Sequence, residues 1–443
     1  MRRISPLPAS LVALALLAAC GRVADVVQMV FDQPTARERY QARLEVAGLS
    51  ATALGRDWLA AGERALREAP VITSPWEEVG YLPPAEPAAV SYRVSLRRGQ
   101  GVDFRLEMAG DSNALVFLDV WEIETDSTMT YDHRAAADSG SRSIRFEPRR
   151  DGDYVIRAQP ELLRGGRFTA TVRVEPLLAF PVGGGRDTDI GSDFGDPRDG
   201  GARDHHGIDI FAPRGTPALA AAPATVSRVE ITPRGGKVVW LRDRRGHSLY
   251  YAHLDSQTVV RGGTVDTGDT VGFVGNTGNA RTTPPHLHFG VYSRGPVNPY
   301  WFVYRPRGEA PRLAADTSLL GDWARVVRAG ATLRSAASPA STRIAELERN
   351  TVVRLVGAVG GWYRVRLPNG SSGYLAWSSV EAADHAADVA TVTTAAPISA
   401  SPDRSADVIA AVKPGDSVTV LGNFGGYLLV RVDGAEAGWM LRQ

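Results

Sequence analysis

The sequence predicts a mainly β, multidomain protein with an N-terminal helical segment, a β-sandwich, a central β-sheet domain and two small barrels. Three observations support this class. The chain has 443 residues, more than a single domain of about 100–200 residues needs. Helix-favouring sequence is confined to residues 34–69, and short alternating apolar runs separated by turn residues follow it. A short β pattern also recurs near the C-terminus.

The N-terminus predicts export. A basic start, MRR, precedes an apolar run at residues 11–19 that ends at Cys20. The run is shorter than the roughly 20 residues that span a bilayer, and it is typical of a secretory signal peptide. Residues 17–20, LAAC, resemble the bacterial lipobox, in which the cysteine is lipidated and becomes the new N-terminus. This resemblance implies a membrane anchor at Cys20, whereas the alternative is a plain signal peptide with an incidental cysteine.

The residue after the cysteine bears on location. It is Gly21 rather than aspartate, which in lipoproteins of this kind implies the outer membrane, facing the periplasm. Cys20 is the only cysteine, so no intramolecular disulfide can form. The formal net charge of +1 provides no basic surface field, and nucleic acid is therefore not an expected partner.

The first elements after this leader carry no visible chemistry. Gly48 and Gly55 divide the helical segment into two pieces, which indicates a spacer or a packing hairpin. Between residues 90 and 175, six runs such as VSYRVSL and VDFRLEM alternate apolar and polar residues, a pattern that predicts a β-sandwich. We expect this sandwich to be a spacer or a gate over a neighbouring site.

The C-terminal part contains an internal repeat. The segments VRLVG, VRL and GY of the first copy correspond to VTVLG, VRV and GW of the second at one constant offset. The glycine-aromatic pairs that end the copies are Gly373-Tyr374 and Gly438-Trp439. Each copy resembles a bacterial SH3-like domain, which implies binding to the cell wall. The alternative is a spacer that only packs on its neighbour.

Histidines are concentrated in the central domain. Six of the eight lie there, five of them in the stretches DHHGIDI, YYAHL and PHLHFG and the sixth at His247. Side chains alternate between the two faces of a strand. His286 and His288 are therefore predicted to share one face, and the same argument places Tyr251 and His253 on one face.

The parity of DHHGIDI distinguishes its two histidines. If the backbone is extended, His205 lies on the side of Asp209, and His206 does not. A carboxylate within the apolar run IDIFAP is costly to bury unless it is paired or binds a cation. Two imidazoles and one carboxylate with an open position make a catalytic zinc site, although parity does not decide between His286 and His288 as the second imidazole.

The remaining catalytic groups must come from histidine. HExxH is absent, and Glu230 is the only glutamate between residues 180 and 302. The histidines that do not bind metal are therefore the candidates for proton transfer. A lone histidine would more simply be a core or surface residue, but this clustering favours a site.

The combination of HxGxDI, YAHL and HLHFG resembles the lysostaphin- and LytM-type peptidoglycan metallopeptidases. The resemblance implies one Zn²⁺ per chain, bound by His205, Asp209 and His288. It also implies that His253 and His286 assist catalysis, with His286 taking the proton of water and His253 supporting the tetrahedral oxyanion. One departure is Ala224, at a turn where the family often has glycine.

These observations predict an exported, lipid-anchored zinc endopeptidase that cleaves peptide cross-links of peptidoglycan. Its expected partners are peptidoglycan stem peptides, the membrane through Cys20 and other wall hydrolases. The alternatives are a catalytically silent scaffold that binds the wall and activates another hydrolase, and a peptidase that acts on protein. The predicted segments are a signal peptide at 1–19, a tether and helical segment at 20–70, the sandwich at 71–176, the peptidase domain at 177–306, a linker at 307–324, and SH3-like repeats at 325–382 and 388–443.

Overall fold

The computed structural model describes residues 33–110, 114–125, 129–432 and 436–443. The predicted signal peptide and Cys20 lie outside these residues. In the described part of the chain, no helix is both long and apolar enough to cross a membrane. The architecture is mainly β with short N-terminal helices and several antiparallel sheets, which confirms the predicted fold class.

Two N-terminal helices are capped by threonine. The Thr35 side chain accepts from the Glu38 N–H, and the Glu38 carboxylate accepts from the Thr35 N–H. This capping box starts the first helix. Thr52 caps the second helix through the Gly55 N–H. The second helix packs on the sandwich through Trp58, whose Nε1 donates to the Pro160 carbonyl at 2.8 Å. The helices are α1 (Ala36–Val46) and α2 (Ala53–Arg67).

The sandwich has two antiparallel sheets, one of order β2-β7-β4-β5 and one containing β1-β8-β3-β6. Their inner faces meet in an apolar core that includes Tyr92, Phe104 and Phe168, each at most 1% exposed. The strands are β1 (Trp76–Leu82), β2 (Val90–Leu96), β3 (Gln100–Met108), β4 (Val116–Thr125), β5 (Met129–Ala136), β6 (Ser143–Phe146), β7 (Gly152–Pro160) and β8 (Gly166–Pro176).

The central domain is built on a sheet of order β18-β14-β15-β16-β20-β12-β9, with β21 beside β20 and a small second sheet of order β13-β19-β17. One face of the large sheet covers an apolar core, and the other face is free to carry a cleft. The elements are β9 (Ile190–Ser192), β10 (Pro197–Arg198), β11 (Arg203–Asp204), β12 (Ile208–Phe211), β13 (Pro217–Leu219), β14 (Ala224–Thr232), β15 (Gly236–Asp243), β16 (Ser248–Leu254), β17 (Ser256–Gln257), β18 (Thr264–Val265), β19 (Thr270–Phe273), β20 (His286–Tyr292), β21 (Pro296–Val297) and α3 (Tyr300–Val303).

The two C-terminal repeats fold alike. In each copy, the pairing between two consecutive strands shifts register just before a glycine. The glycine is Gly357 in the first copy and Gly422 in the second. The first copy contains β22 (Trp323–Val326), β23 (Ala331–Arg334), β24 (Arg343–Leu347), β25 (Val352–Val359), β26 (Trp362–Arg366), β27 (Ser372–Ala376) and β28 (Val380–Ala382). The second contains β29 (Asp388–Thr391), β30 (Ala396–Ser399), β31 (Val408–Val412), β32 (Ser417–Phe424), β33 (Tyr427–Arg431) and β34 (Gly438–Leu441).

The first repeat is joined to the sandwich by a continuous sheet. Strand β1 pairs with β8 on one side and with β25 on the other. In the β1–β25 pair, Val79 lies opposite Ala358 and Gly80 lies opposite Gly357. At this junction Glu78, which is 0% exposed, forms an ion pair with Arg364 at 2.7 Å. The sequence did not predict this union, because the repeat reads as a separate barrel.

Candidate metal centre and catalytic cleft

Two neighbouring strands place the acidic ligand beside a histidine. Strands β12 and β20 are antiparallel, with Asp209 opposite His288. Residues directly opposite each other in such a pair point to the same face of the sheet. The alternate residues Ile208, Ile210, Leu287 and Phe289 are fully buried on the other face. The alternation predicted for these two strands is confirmed.

Three donor atoms converge on one point. His205 Nε2 lies 3.0 Å from Asp209 Oδ1 and 2.9 Å from His288 Nδ1, and His288 Nδ1 lies 2.9 Å from the same oxygen. The His205 Nδ1 lies 2.7 Å from the Asp193 carbonyl. Since a carbonyl only accepts, this Nδ1 carries the proton and Nε2 presents its lone pair to the cluster. Two nitrogens and one carboxylate oxygen at such close range fit a zinc ion, the group that the sequence predicted.

An arginine orients the carboxylate. Arg198 donates from Nη2 to Asp209 Oδ2 at 3.0 Å and also to the Ser192 hydroxyl, so the other oxygen, Oδ1, is left facing the histidines. Burial alone would raise the pKa of Asp209. Hydrogen bonds and charge interactions with His205 and His288 instead hold that pKa well below its usual range. The carboxylate is therefore ionised throughout the working pH range.

Two further imidazoles face the same cleft. The Nδ1 of His253 donates to the Thr277 carbonyl at 2.9 Å, and the Nδ1 of His286 donates to the Pro284 carbonyl at 2.9 Å. Their rings lie 5.0 Å apart, and His286 Nε2 is 4.0 Å from Asp209 Oδ1. Burial, and then the neighbouring His288 and His286, lower the pKa of His253 to about 4. His253 is thus neutral near pH 7.

The path of β16 overturns one prediction from strand alternation. Tyr251 and His253 do not share a face. Tyr251 is fully buried in the core against Phe289, and its hydroxyl accepts from the Ala221 N–H, whereas His253 lines the cleft. The cause is an irregular backbone, since His253 has φ of +61° and the β15–β16 register shifts beside it. This bulge turns His253 toward the metal cluster.

The cleft has a volume of about 580 Å³ and an aromatic wall. Trp240 lies 4.3 Å from Tyr250 and 5.3 Å from Tyr292 by ring centroids, and Tyr250 packs edge-on against His288. Arginines line other parts of the cleft. Among the described residues that line it there is no glutamate, and Glu230 lies outside it. Histidine therefore supplies the candidates for proton transfer, as the sequence predicted.

His206 and Gly207, which follow His205 in DHHGIDI, lie outside the donor cluster. His206 is exposed at the cleft edge, with its ring 6.4 Å from that of Phe194, and is not part of the donor cluster. Gly207 is packed so tightly that a Cβ there would lie 2.6 Å from the His288 ring. Arg198 was not found by sequence reasoning, because arginine is not a metal ligand, and Gly207 was noted only as part of the HxGxDI motif.

Comparisons with known families match two parts of the chain. Residues 203–299 match the model of Peptidase family M23, and residues 329–381 match that of the bacterial SH3 domain. The matched peptidase segment contains all three residues of the donor cluster and both additional histidines of the cleft.

Two curated relatives are similar over about a fifth of the chain. The DD-carboxypeptidase/endopeptidase Mpg of Neisseria meningitidis is 41% identical over 96 residues, which is 21% of this chain and 22% of that protein. The peptidoglycan DD-endopeptidase ShyC of Vibrio cholerae is 37% identical over 93 residues, 21% of each chain. The chain thus spans about a fifth of the length of these relatives.

Among solved structures, the catalytic domain of lysostaphin from Staphylococcus simulans is 29% identical. The alignment covers 26% of this chain and 91% of that domain, with a TM-score of 0.23.

Proposed function

We propose that this chain, whose residues 203–299 are a peptidase family M23 domain, is a zinc-dependent endopeptidase that hydrolyses peptide cross-links of peptidoglycan. The observation that carries the proposal is the complete donor set of His205, Asp209 and His288 in an open cleft. A chain that had become a catalytically silent scaffold would have no need to retain it. The relative from Vibrio cholerae is named a peptidoglycan DD-endopeptidase and that from Neisseria meningitidis a DD-carboxypeptidase/endopeptidase, which supports the substrate class.

The residues of the cluster would hold one zinc ion through His205 Nε2, Asp209 Oδ1 and His288 Nδ1. A zinc ion held in this way supplies a Lewis acid that polarises a carbonyl and acidifies water. The carbonyl of Asp193 fixes the His205 ring, and Arg198 fixes the carboxylate. Such outer hydrogen bonds hold ligands in the geometry that binding requires.

The two other imidazoles divide the proton chemistry. His253 is neutral near pH 7, and because its Nδ1–H is held by the Thr277 carbonyl, its Nε2 presents a lone pair to the cleft. His286 has the same geometry, because its Nδ1–H is held by the Pro284 carbonyl, and its Nε2 lies 4.0 Å from Asp209 Oδ1. Either ring is thus placed to accept a proton. We follow the family resemblance for the division of roles, in which His286 takes the proton of water and His253 supports the oxyanion.

The remaining parts of the chain would keep the enzyme at its substrate. The lipobox-like LAAC sequence supports export and anchoring through Cys20, in the outer membrane facing the periplasm. The bacterial SH3 domain at residues 329–381, with the repeat that follows it, supports retention on the wall. Stem peptides are the proposed substrate, and other wall hydrolases are proposed partners.

The test is metal content and cleavage in a His288→Ala variant. We expect it to lose stoichiometric zinc and to release no new amino groups from purified sacculi, because one of three ligands is gone. His206→Ala is the matched control, since His206 lines the same cleft outside the donor cluster. It should keep one zinc and cleave sacculi in a chelator-sensitive way.

Full cleavage by His288→Ala would overturn the proposal. Zinc-free wild-type protein that binds sacculi without releasing amines would favour the scaffold. Cleavage of glycine-rich peptides with sacculi left intact would favour a peptidase that acts on protein.

A further inference from the structure

A second cavity, of about 360 Å³, lies where α2, the sandwich and the first repeat meet. It shares no lining residue with the metal cleft. Its walls combine small apolar side chains, such as Ala61, Ala65 and Val356, with several arginines. A volume above roughly 300 Å³ with an apolar lining and a few polar groups is typical of a ligand site.

The arginines of this cavity are of two kinds. Arg364 is neutralised, because both its Nε and its Nη2 contact Glu78 Oε1, at 2.8 and 2.7 Å. Arg64, Arg67 and Arg366 form no ion pair within the described part of the chain. These three are called the free arginines below.

The free arginines are poorly balanced by negative charge. Glu68 supplies the single carboxylate among the described residues that line the cavity. Desolvation, and then repulsion from Arg364 and Arg64, lower the pKa of Arg366, with Glu68 and Glu86 opposing this. Three exposed guanidinium groups that line one cavity beside a single carboxylate attract an anion.

Uncharged donors complete the lining. Tyr374, a residue only 2% exposed, is the aromatic residue of this lining. Ser335 and Ser372 add two hydroxyls, which can donate hydrogen bonds.

We propose that this cavity binds the free carboxylate of a short peptide with small apolar side chains. Arginine matches a carboxylate in bidentate geometry, and the alanine-rich wall fits methyl-sized side chains. An inorganic anion would leave most of the cavity unfilled. The site lies outside the catalytic cleft, so the inference does not depend on the proposed reaction.

Isothermal titration calorimetry on the full chain tests this with three probes: N-acetyl-alanyl-alanine, its C-terminal amide and inorganic phosphate. We expect the acid to bind at least about tenfold more tightly than the amide or phosphate, because only the acid satisfies both the arginines and the apolar wall. Arg366→Gln and Arg64→Gln should each weaken binding of the acid by about tenfold.

Arg328→Gln is the matched control, because Arg328 is an exposed arginine of the same barrel that does not line the cavity. It should bind the acid like the unchanged protein. Release of amines from sacculi should be unaltered in Arg366→Gln, which separates this site from the catalytic one. Equal binding of acid and amide, equal binding of phosphate, or unchanged affinity in both cavity variants would overturn the proposal.

Discussion

At the scale of single residues, the metal cluster depends on groups that do not touch the metal. Carbonyls fix three imidazole rings, Arg198 fixes the carboxylate, and Gly207 leaves room for the His288 ring. Strand parity favoured His205 and Asp209 as ligands, and the choice of His288 over His286 followed from the family resemblance; these three residues form the donor cluster. The sequence could not predict the supporting carbonyls, since every residue has one and only the fold decides which of them points inward.

Gly207→Ala should damage the metal site without removing a ligand. A Cβ at this position would lie 2.6 Å from His288, so the ring must move. Displaced supporting geometry typically lowers metal affinity by 10–100-fold, and we expect a loss in this range when zinc binding is measured by chelator competition. Gly295→Ala is the control, because a Cβ there would meet no atom within 4 Å and its backbone φ is not one that requires glycine. Equal zinc affinity in the parent and Gly207→Ala would contradict this role.

The lowered pKa of His253 predicts how the stability of the metal-free protein changes with pH. Because the folded pKa, about 4, lies below the unfolded value of about 6.5, the unfolded state binds a proton first as pH falls. The stabilisation from neutral His253 is complete above pH 6.5 and is lost as pH falls toward 4. NMR of the imidazole, assigned with a His253→Gln variant, should show a neutral ring with a protonated Nδ1 from pH 5 to 8. A midpoint near 6.5 would refute this.

At the scale of elements, strand alternation worked where the backbone is regular and failed where it is not. It placed Asp209, His286 and His288 on the cleft face of β12 and β20. It failed at His253, since a positive φ beside a register shift has no signature in the pattern of apolar residues. Strand β1 was also missed, because its inward face carries Glu78 and Gly80, which do not read as core.

Glu78 and Gly80 face inward because each fits a partner from another strand. Glu78 is paired with Arg364, and Gly80 leaves space for the Phe168 ring, which would lie 2.2 Å from a Cβ there. Both depend on partners distant in sequence. The short apolar strands were therefore predictable, whereas the strand that joins two domains was not.

Glu78→Gln should destabilise the junction of the sandwich and the first repeat. It leaves Arg364 as a buried cation without a carboxylate, a change that typically costs about 3–5 kcal/mol. Urea denaturation should show this loss, and hydrogen exchange should show faster opening of β1 and β25. Glu346→Gln, which removes the partner of the exposed Arg343, should change stability by at most about 1 kcal/mol. Equal effects of the two substitutions would argue against a buried pair.

At the scale of the whole molecule, separate apolar cores are linked by different kinds of contact. The sandwich and first repeat share a sheet, whereas the peptidase domain contacts the sandwich through side chains, including a two-bond pair between Arg245 and Glu147. The sequence predicted the mainly β, multidomain fold class from the alternating runs, the turn residues between them and the internal repeat. The mutual arrangement of the domains depends on contacts between residues distant in sequence, which leave no periodic pattern.

Removal of zinc by a chelator should therefore destabilise the peptidase domain selectively. A ligand that binds only the folded state stabilises it by about 4 kcal/mol at a thousandfold excess over Kd. Scanning calorimetry with a chelator should lower the unfolding temperature of the peptidase domain by several degrees and leave that of the sandwich and first repeat unchanged. His288→Ala should show no chelator response. A uniform shift of all transitions would show that the domains unfold together.

The first repeat contacts the sandwich, and the second repeat contacts the first, through equivalent residues. Gly357 and Ala358 of the first copy meet β1, and Asn423 of the second copy, next to its own bulge glycine, meets Asn350 and Thr351 of the first. In the second copy, the turn equivalent to those last two residues is Gly415-Asp416. The contact is thus head-to-tail and does not close on itself, as in solenoid arrays. A further copy would nevertheless need a changed interface, because the second copy has Asp388 and Ala390 where the first has Trp323 and Arg325, which contact Trp439 and the Leu421 carbonyl.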